Sequence, residues 1–426
     1  METRKTNERD WRRILSLGLS GLGIAYFLIQ ALSFTFLWLS NFSSAQFSMD
    51  QVISFGLLIW SSILSGLMLV PVFLLSLSEL RGQAPPGWLV FSQTAYRKSV
   101  LWIISLWPVI VLIGWFIADR PMTAAFLLGP INILVAGLPI LWVYTSASRG
   151  LKRGLQVRQW RIFGFSLTIT PLIVIIFEII AIAILGGVGA LWFTYRTAVD
   201  PTFERDLMYL INQVSIHQND VDALLEILQP YILQPGVIVW GLVLFAGLIP
   251  IIEEIIKSIA LWPMAGRNIT PQEGFVGGLL CGAGFAFMEN VMYFTMSITA
   301  MDWLFMAIGR AGTGVMHMLA SGLVGWGLAV AWRDGKWHFL SGTTFFAIVL
   351  HGLWNAVALI TGIASLLFLD VEATVWQNLL YSLPTLILFI ISVIGIGLIN
   401  RHFRKQNHLE TTVTDQDSEN EEQVIH

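Results

Sequence analysis

Charged residues are scarce in this chain of 426 residues. Only 12% are Asp, Glu, Lys or Arg and 56% are hydrophobic, whereas about 25% of the residues in a soluble globular protein are charged. The mean hydropathy is +0.72, and apolar runs of about 20 residues recur along the chain. The composition therefore excludes an ordinary soluble protein and predicts an all-α fold, a polytopic membrane helical bundle.

Cysteine is almost absent as well. Cys281 stands alone, so an internal disulfide and a metal cluster built from several cysteines are both excluded. The net charge is −3, and the basic residues are spread over short loops instead of forming a basic patch. We therefore expect no nucleic acid partner, and the lipid bilayer is the partner that the composition implies.

Apolar segments long enough to cross a bilayer number about ten. They are residues 14–40, 53–78, 100–118, 123–146, 162–190, 237–262, 274–299, 304–332, 339–362 and 376–399. The first is too long for the apolar part of a cleaved signal and is predicted to be a retained helix. Of the 24 Lys and Arg residues, only Arg120, Arg196 and Arg205 fall in predicted outer loops. The positive-inside rule thus predicts that both termini are cytoplasmic.

Four regions follow from these segments. Residues 1–195 form a five-helix membrane region, and residues 196–236 form an extracytoplasmic loop whose apolar spacing predicts amphipathic helices, with Asp220 as a cap of the second. Residues 237–400 form a second membrane region. Residues 401–426 are polar, acidic and poor in aromatics, which predicts a disordered cytoplasmic tail.

The stretch IPIIEEIIKSIAL places three charged side chains inside a predicted span. On a helix, Lys257 follows Glu253 by four residues and Glu254 by three, so it can meet either carboxylate. A salt bridge between helices would need only one acid; with one glutamate neutralised, the other can act as a base or a ligand. Pro250 lacks an N–H and interrupts the helix just before them, which leaves room for water.

Three further predicted spans carry chemistry. In GGLLCGAGFAFMENVMYF, Gly278 and Gly282 form a GxxxG pattern that predicts close packing against another helix. Glu289 lies beyond it, with Phe285 one turn earlier on the same face. A helical rise of about 1.5 Å per residue places Glu289 nearer the outer side than the other candidates. Arg310, about two turns outward of a histidine in the next span, is expected to reach the outer interface or to pair with an acid.

Histidines occupy the next two spans. His317 lies among small residues in GTGVMHMLASG, where a packing role is the alternative to a ligand. His351 and Asn355 are four residues apart in IVLHGLWNAVAL and share a helical face, as a structural pair would also do. Imidazole can act as an acid, a base or a metal ligand, and a carboxamide N–H can stabilise an oxyanion.

Burying so many polar groups in lipid is costly. A charged side chain at mid-bilayer costs roughly 2.5 to 3.5 kcal/mol, so we expect these groups to share one buried site. The candidate residues are Glu253, Glu254, Lys257, Glu289, His317, His351 and Asn355. A proton- or ion-coupled transporter is one alternative, although no internal repeat pairs spans one to five with six to ten. A non-catalytic scaffold or sensor is another.

These motifs resemble the PrsW family of intramembrane proteases, which is related in motif order to the CAAX prenyl proteases. The resemblance covers roughly residues 240–362. It consists of EExxK at Glu253–Lys257, FxxxE at Phe285–Glu289, the histidine at His317, and HxxxN at His351–Asn355. It implies hydrolysis of peptide bonds in or beside a bacterial-type cytoplasmic membrane. The implied substrate is a single-span regulatory protein, as with the anti-sigma factor cleaved by the family's namesake.

The resemblance leaves two mechanisms open. In the metal version, Glu289, His317 and His351 bind Zn²⁺ or another divalent metal, and Glu253 or Glu254 is the general base. In the metal-free version, a glutamate of the pair and a histidine activate water, while Asn355 and the other histidine hold the oxyanion.

Overall fold

The described part of the protein is almost entirely helical. The computed structural model describes residues 2–42, 49–89, 102, 104–218, 220–295, 299–366 and 375–425, and these ranges contain no β-strand. Within them, nine helices are long and apolar enough to cross a membrane. The prediction of a polytopic helical membrane bundle is confirmed.

The α-helices are numbered here in chain order. They are α1 (Glu2–Phe42), α2 (Met49–Leu80), α3 (Trp107–Ala118), α4 (Pro121–Ala147), α5 (Gln156–Val199), α6 (Pro201–Ile216), α7 (Val221–Ile232), α8 (Pro235–Gly241), α9 (Ile249–Lys257), α10 (Pro271–Phe294), α11 (Ala300–Asp334), α12 (Trp337–Leu366) and α13 (Val375–Ile425). A π-helical segment, Leu242–Leu248, joins α8 to α9, and a 3₁₀ segment, Ser258–Met264, follows α9.

The sequence predicts ten spans, and nine helices of the described residues are long enough to cross a membrane. The third predicted span is the one without such a helix. Of residues 100–118, the structure describes an apolar helix of 12 residues, α3, which is short for a crossing. Residues 100, 101 and 103 of this span lie outside the described ranges. Ten spans and cytoplasmic termini therefore stay predictions.

Two compact units make up the chain. Unit 1 comprises Met1–Pro171, Lys257–Thr344 and Ile391–His426, and unit 2 comprises Leu172–Ile256 and Phe345–Ile390. In unit 1, α1 packs on α2, α2 packs on α4, and both α10 and α11 pack on α4. The most extensive helix pair of the described chain is α10 with α11.

Glycines allow this pair to pack closely. A Cβ atom on Gly278 would collide with the carbonyl oxygen of Ser321, and one on Gly282 would collide with the carbonyl oxygen of His317. The backbones of α10 and α11 therefore touch where the GxxxG pattern predicted close packing. The contact at Gly282 also fixes the height of His317 along its neighbour.

Two helices, α6 and α7, lie between residues 196 and 236, where the sequence predicts amphipathic helices; that this loop is extracytoplasmic stays a prediction. Asp220 caps α7 by accepting a hydrogen bond from the Ala223 N–H at 3.1 Å. Asp200 caps α6 in the same way. Hydrogen bonds from the Thr202 hydroxyl and the Phe203 N–H lower the pKa of the Asp200 carboxyl from its usual value.

The end of the chain differs from its prediction. The segment after residue 400 was expected to be disordered, but α13 continues through it to Ile425. After Gly397 the sequence has no proline or glycine to stop a helix that the preceding apolar residues have already begun. Helix propagation, which needs no new nucleus, explains the difference.

Candidate active site

An irregular turn of backbone immediately precedes the glutamate pair. In the π-helical segment, the Ile249 N–H bonds to the carbonyl oxygen of Leu244, five residues earlier. Continuing this register would assign the next carbonyl, that of Phe245, to residue 250, which is a proline without an N–H. The Asn355 side chain supplies a donor instead, with Nδ2 2.9 Å from the Phe245 oxygen.

Asn355 is therefore first of all a positioning residue. It replaces a backbone donor that Pro250 cannot provide, and so it fixes the π-helical segment against α12. Isolated π turns are frequent at functional sites. The predicted oxyanion role remains open to the second N–H of Nδ2, because an amide nitrogen carries two donors.

Gly352 allows α12 to approach the same backbone. A Cβ atom at this position would collide with the carbonyl oxygen of Ala246. The HGLWN sequence thus places Gly352, a residue without Cβ, next to His351 and about one turn before Asn355. Each of the three residues meets the π-helical segment or helix α9.

Gly352→Ala is expected to destabilise the protein by about 1–3 kcal/mol, the usual range for overpacking. The added methyl group pushes the Ala246 carbonyl away and strains the bond between Asn355 and Phe245. Thermal unfolding in detergent measures the change. Gly342→Ala on the same helix is the control, because its Cβ meets nothing within 4 Å. Equal melting temperatures for the two variants would contradict the proposed contact.

The first polar group, the Glu–His group, consists of Glu253, Glu254 and His351. All three are buried, and Glu254 has no exposed surface. His351 Nδ1 lies 2.9 Å from Glu254 Oε1, and its other nitrogen, Nε2, lies 3.9 Å from Glu253 Oε2. The contact with Glu254 orients the imidazole so that Nε2 and Glu253 converge on one small space.

This group has the composition of a metal or water-activating site. One ligand atom from each of its residues lies within 4.8 Å of the others. Imidazole nitrogen and carboxylate oxygen are both ligands of Zn²⁺. A histidine whose second nitrogen is held by a carboxylate is the usual arrangement at catalytic metals. The donor set therefore fits a divalent metal, and it equally fits a water held between Nε2 and Glu253.

The second polar group, the Lys–His–Glu chain, consists of Lys257, His317 and Glu289. Lys257 Nζ lies 2.8 Å from His317 Nδ1, and His317 Nε2 lies 2.9 Å from Glu289 Oε2. An ammonium group only donates, so Nδ1 accepts and the proton of a neutral imidazole is assigned to Nε2, which donates to Glu289. Lys257 is fully buried.

Aromatic and cationic neighbours complete this chain. The Phe285 ring lies 4.3 Å from Lys257 Nζ and packs edge-on against His317. Arg310 forms an ion pair with Glu289 at 2.5 Å. Of the two expectations for Arg310, pairing with an acid is the one that the structure bears out. Phe285 and Glu289 of the FxxxE motif thus both contact His317.

The predicted metal ligands fall into different hydrogen-bonded groups. His351 belongs to the Glu–His group, whereas His317 and Glu289 bind each other. Glu289 forms an ion pair with Arg310 and a hydrogen bond with His317. Both nitrogens of His317 are hydrogen-bonded, one to Glu289 and the other to Lys257. Glu253 and Glu254 lie beside His351 in a group that could hold a metal ion, and the metal role that the sequence gives to Glu289 stays a prediction. That all seven residues form one site stays a prediction.

Comparison with known families agrees with the motifs. Residues 221–391 match the model described as PrsW family intramembrane metalloprotease. The match is longer than the resemblance seen in the sequence, because it begins at α7 and reaches into the last predicted span. It includes all seven candidate residues. Searches of curated proteins and of solved structures found no match. Residues 221–391 of this multi-pass membrane protein are therefore similar to the PrsW family of intramembrane metalloproteases.

Proposed function

We propose that the protein hydrolyses peptide bonds of membrane proteins at the Glu–His group. The observation that carries this proposal is the convergence of His351 Nε2 and Glu253 Oε2 in a buried position, with Glu254 fixing the ring. A water bound between these two atoms would meet two proton acceptors. Proton transfer by such positioned groups accelerates reactions by about 10² to 10⁴-fold.

Lys257 of the Lys–His–Glu chain lies on the same helix, α9, as the two glutamates of the Glu–His group. Lys257 ends helix α9 and follows Glu253 by four residues and Glu254 by three, so its side chain shares their helical face. His317 holds the Lys257 ammonium group in place. We assign to Lys257 the positive charge that reduces the cost of two buried carboxylates and stabilises negative charge developing on the substrate.

The proposed proton path uses Glu253 and His351. Glu253 accepts a proton from water as the water oxygen bonds to the peptide carbonyl carbon, and that proton passes to the leaving nitrogen when the C–N bond breaks. His351 Nε2 orients the water, and Glu254 holds the ring through Nδ1. Asn355 keeps the backbone before α9 in register.

A divalent metal is compatible with this arrangement. His351, Glu253 and Glu254 would hold it. When bound, a metal such as Zn²⁺ would lower the pKa of the attacking water and polarise the peptide carbonyl.

For the substrate we propose a single-span membrane protein with a regulatory role, and for the location a bacterial cytoplasmic membrane. The family match and the multi-pass fold support both proposals. A substrate helix that enters the bilayer can present its peptide bond to groups buried at membrane depth.

Metal dependence is tested on the purified protein by elemental mass spectrometry. We expect about one equivalent of a divalent metal in wild type and less than a tenth of that in His351→Ala. Asn290→Ala serves as the control, because Asn290 bonds to Arg310 outside the Glu–His group. Cleavage of tagged single-span proteins that withstands chelation, by a protein without metal, would favour the metal-free version. Equal metal content in all three proteins would contradict the assigned ligands.

A further inference from the structure

Unit 1 contains a cavity of about 530 Å³ outside both polar groups. It lies among α2, α4, α5 and α10, and its walls are mostly apolar. Among the lining side chains are Met68, Leu134, Leu138, Phe163, Leu280 and Phe287. Its volume falls within the range of about 300–1,000 Å³ seen for ligand sites.

The cavity is polar at one end only. Along α4 its lining runs from Ile133 to Tyr144, about 16 Å at a helical rise of 1.5 Å per residue. At the Tyr144 end, the tyrosine hydroxyl bonds to Gln159 at 2.6 Å, and Arg153 joins the lining. An apolar space that ends in polar groups fits an amphiphile with one extended chain.

The polar end is also positively charged. The Arg153 side chain is held by the carbonyl oxygen of Ser148 at 3.2 Å and lies 5.7 Å from the Tyr144 ring. Both partners are uncharged, so they leave the guanidinium charge in place. Of the five basic residues in 148–161, Arg158 pairs with Glu273 and Arg161 with Glu79, whereas Arg153 lines the cavity. This end of the cavity is therefore complementary to an anion.

We propose that the cavity binds one acyl chain of an anionic phospholipid, with the phosphate at Arg153. Basic pockets between membrane helices are known sites for acidic head groups. The occupant would come from the bilayer that surrounds the helices. Substrate proteolysis is not needed for this binding, so the proposal stands apart from the proposed function.

Helix α10 links the cavity to the Lys–His–Glu chain. Leu280, Ala283 and Phe287 line the cavity, whereas Phe285 and Glu289 contact His317. At 100° per residue these two sets lie on opposite faces of α10. A bound lipid chain would therefore pack against the face of α10 opposite to the one that contacts His317. We expect this packing to raise the melting temperature of the protein.

Lipid binding to the delipidated full-length protein in detergent tests the proposal. Native mass spectrometry and thermal shift would compare phosphatidylglycerol, phosphatidylcholine and soluble glycerol phosphate. We expect phosphatidylglycerol to bind most tightly and to raise the melting temperature, phosphatidylcholine to bind more weakly, and glycerol phosphate to have no effect. Arg153→Gln should weaken phosphatidylglycerol binding about five-fold, the effect of one basic residue near an acidic lipid.

Arg149→Gln is the matched control, since Arg149 lies in the same basic segment but does not line the cavity. It should bind phosphatidylglycerol as wild type does. Ala283→Phe, which fills the cavity, should lose binding of both lipids. Equal losses in Arg149→Gln and Arg153→Gln would assign the binding to general surface charge and overturn the proposal. Equal binding of both lipids by wild type, or full binding of glycerol phosphate, would overturn it as well.

Discussion

Glu254→Gln and His351→Ala are each expected to reduce substrate cleavage by at least about 100-fold. Gln at position 254 cannot carry the negative charge that holds the proton of His351 Nδ1, and Ala at position 351 removes both nitrogens. Losing a positioned acid–base group typically costs about 10² to 10⁴-fold in rate. Because both residues belong to one hydrogen-bonded group, the double variant should be hardly worse than either single variant.

The measurement starts from tagged single-span proteins that wild type cleaves in a co-expressed library. Each variant must first be shown to insert and to melt near the wild-type temperature. Glu178→Gln is the control, an acid in α5 that the sequence does not place among the candidates. It should cleave as wild type does. Cleavage that persists in both Glu254→Gln and His351→Ala would show that the Glu–His group is not the reaction centre.

Much of the fold could be predicted because the bilayer limits the choices. A chain in lipid must satisfy its backbone hydrogen bonds internally, so long apolar runs become helices. Close packing at Gly278 and Gly282 follows from the missing Cβ atoms. The length of α13 was missed because low apolar content predicts weak packing, whereas an already nucleated helix needs only to propagate.

The pairing of His351 with Glu254 could be anticipated only in part. Spacing within one helix shows which residues share a face, as it does for Glu253 and Lys257. It does not show which atoms on two helices meet. The partner of Lys257 illustrates this limit, because its Nζ atom contacts His317 Nδ1, sixty positions along the chain.

The role of Asn355 was hidden for a different reason. A π-helical register leaves no periodic signal in seven residues, so the sequence offered only Pro250 as a hint. The Phe245 carbonyl needs a side-chain donor because the π-helical register assigns it to residue 250, and Pro250 has no N–H. An amide four residues after a histidine could equally have faced a substrate.

The depth of Glu289 was the least consistent part of the sequence estimate, since it fell toward the outer side. In the structure, Arg310, which precedes His317 on α11 by about two turns, forms an ion pair with Glu289. Asn290 binds the same guanidinium group at 2.7 Å. Glu289 thus connects His317 to a cation.

Gly282→Ala is expected to disturb both stability and cleavage, because Gly282 is where α10 touches the backbone of His317. The new methyl carbon would collide with the His317 carbonyl oxygen and lie 2.7 Å from Met318 Cα. Neither backbone atom can rotate away, so α11 must move. Overpacking of this kind costs about 1–3 kcal/mol, and any shift of α11 changes the bond between Lys257 and His317.

Gly309→Ala on α11 provides the matched control, since its Cβ would meet nothing within 4 Å. Alanine favours a helix over glycine by about 1 kcal/mol, so this variant should melt at or above the wild-type temperature. Gly282→Ala should melt lower, and it should cleave more slowly even at temperatures where it is fully folded. Melting equal to that of Gly309→Ala would rule out the close backbone contact. Normal cleavage by a destabilised Gly282→Ala would instead mean that the position of His317 does not limit the reaction.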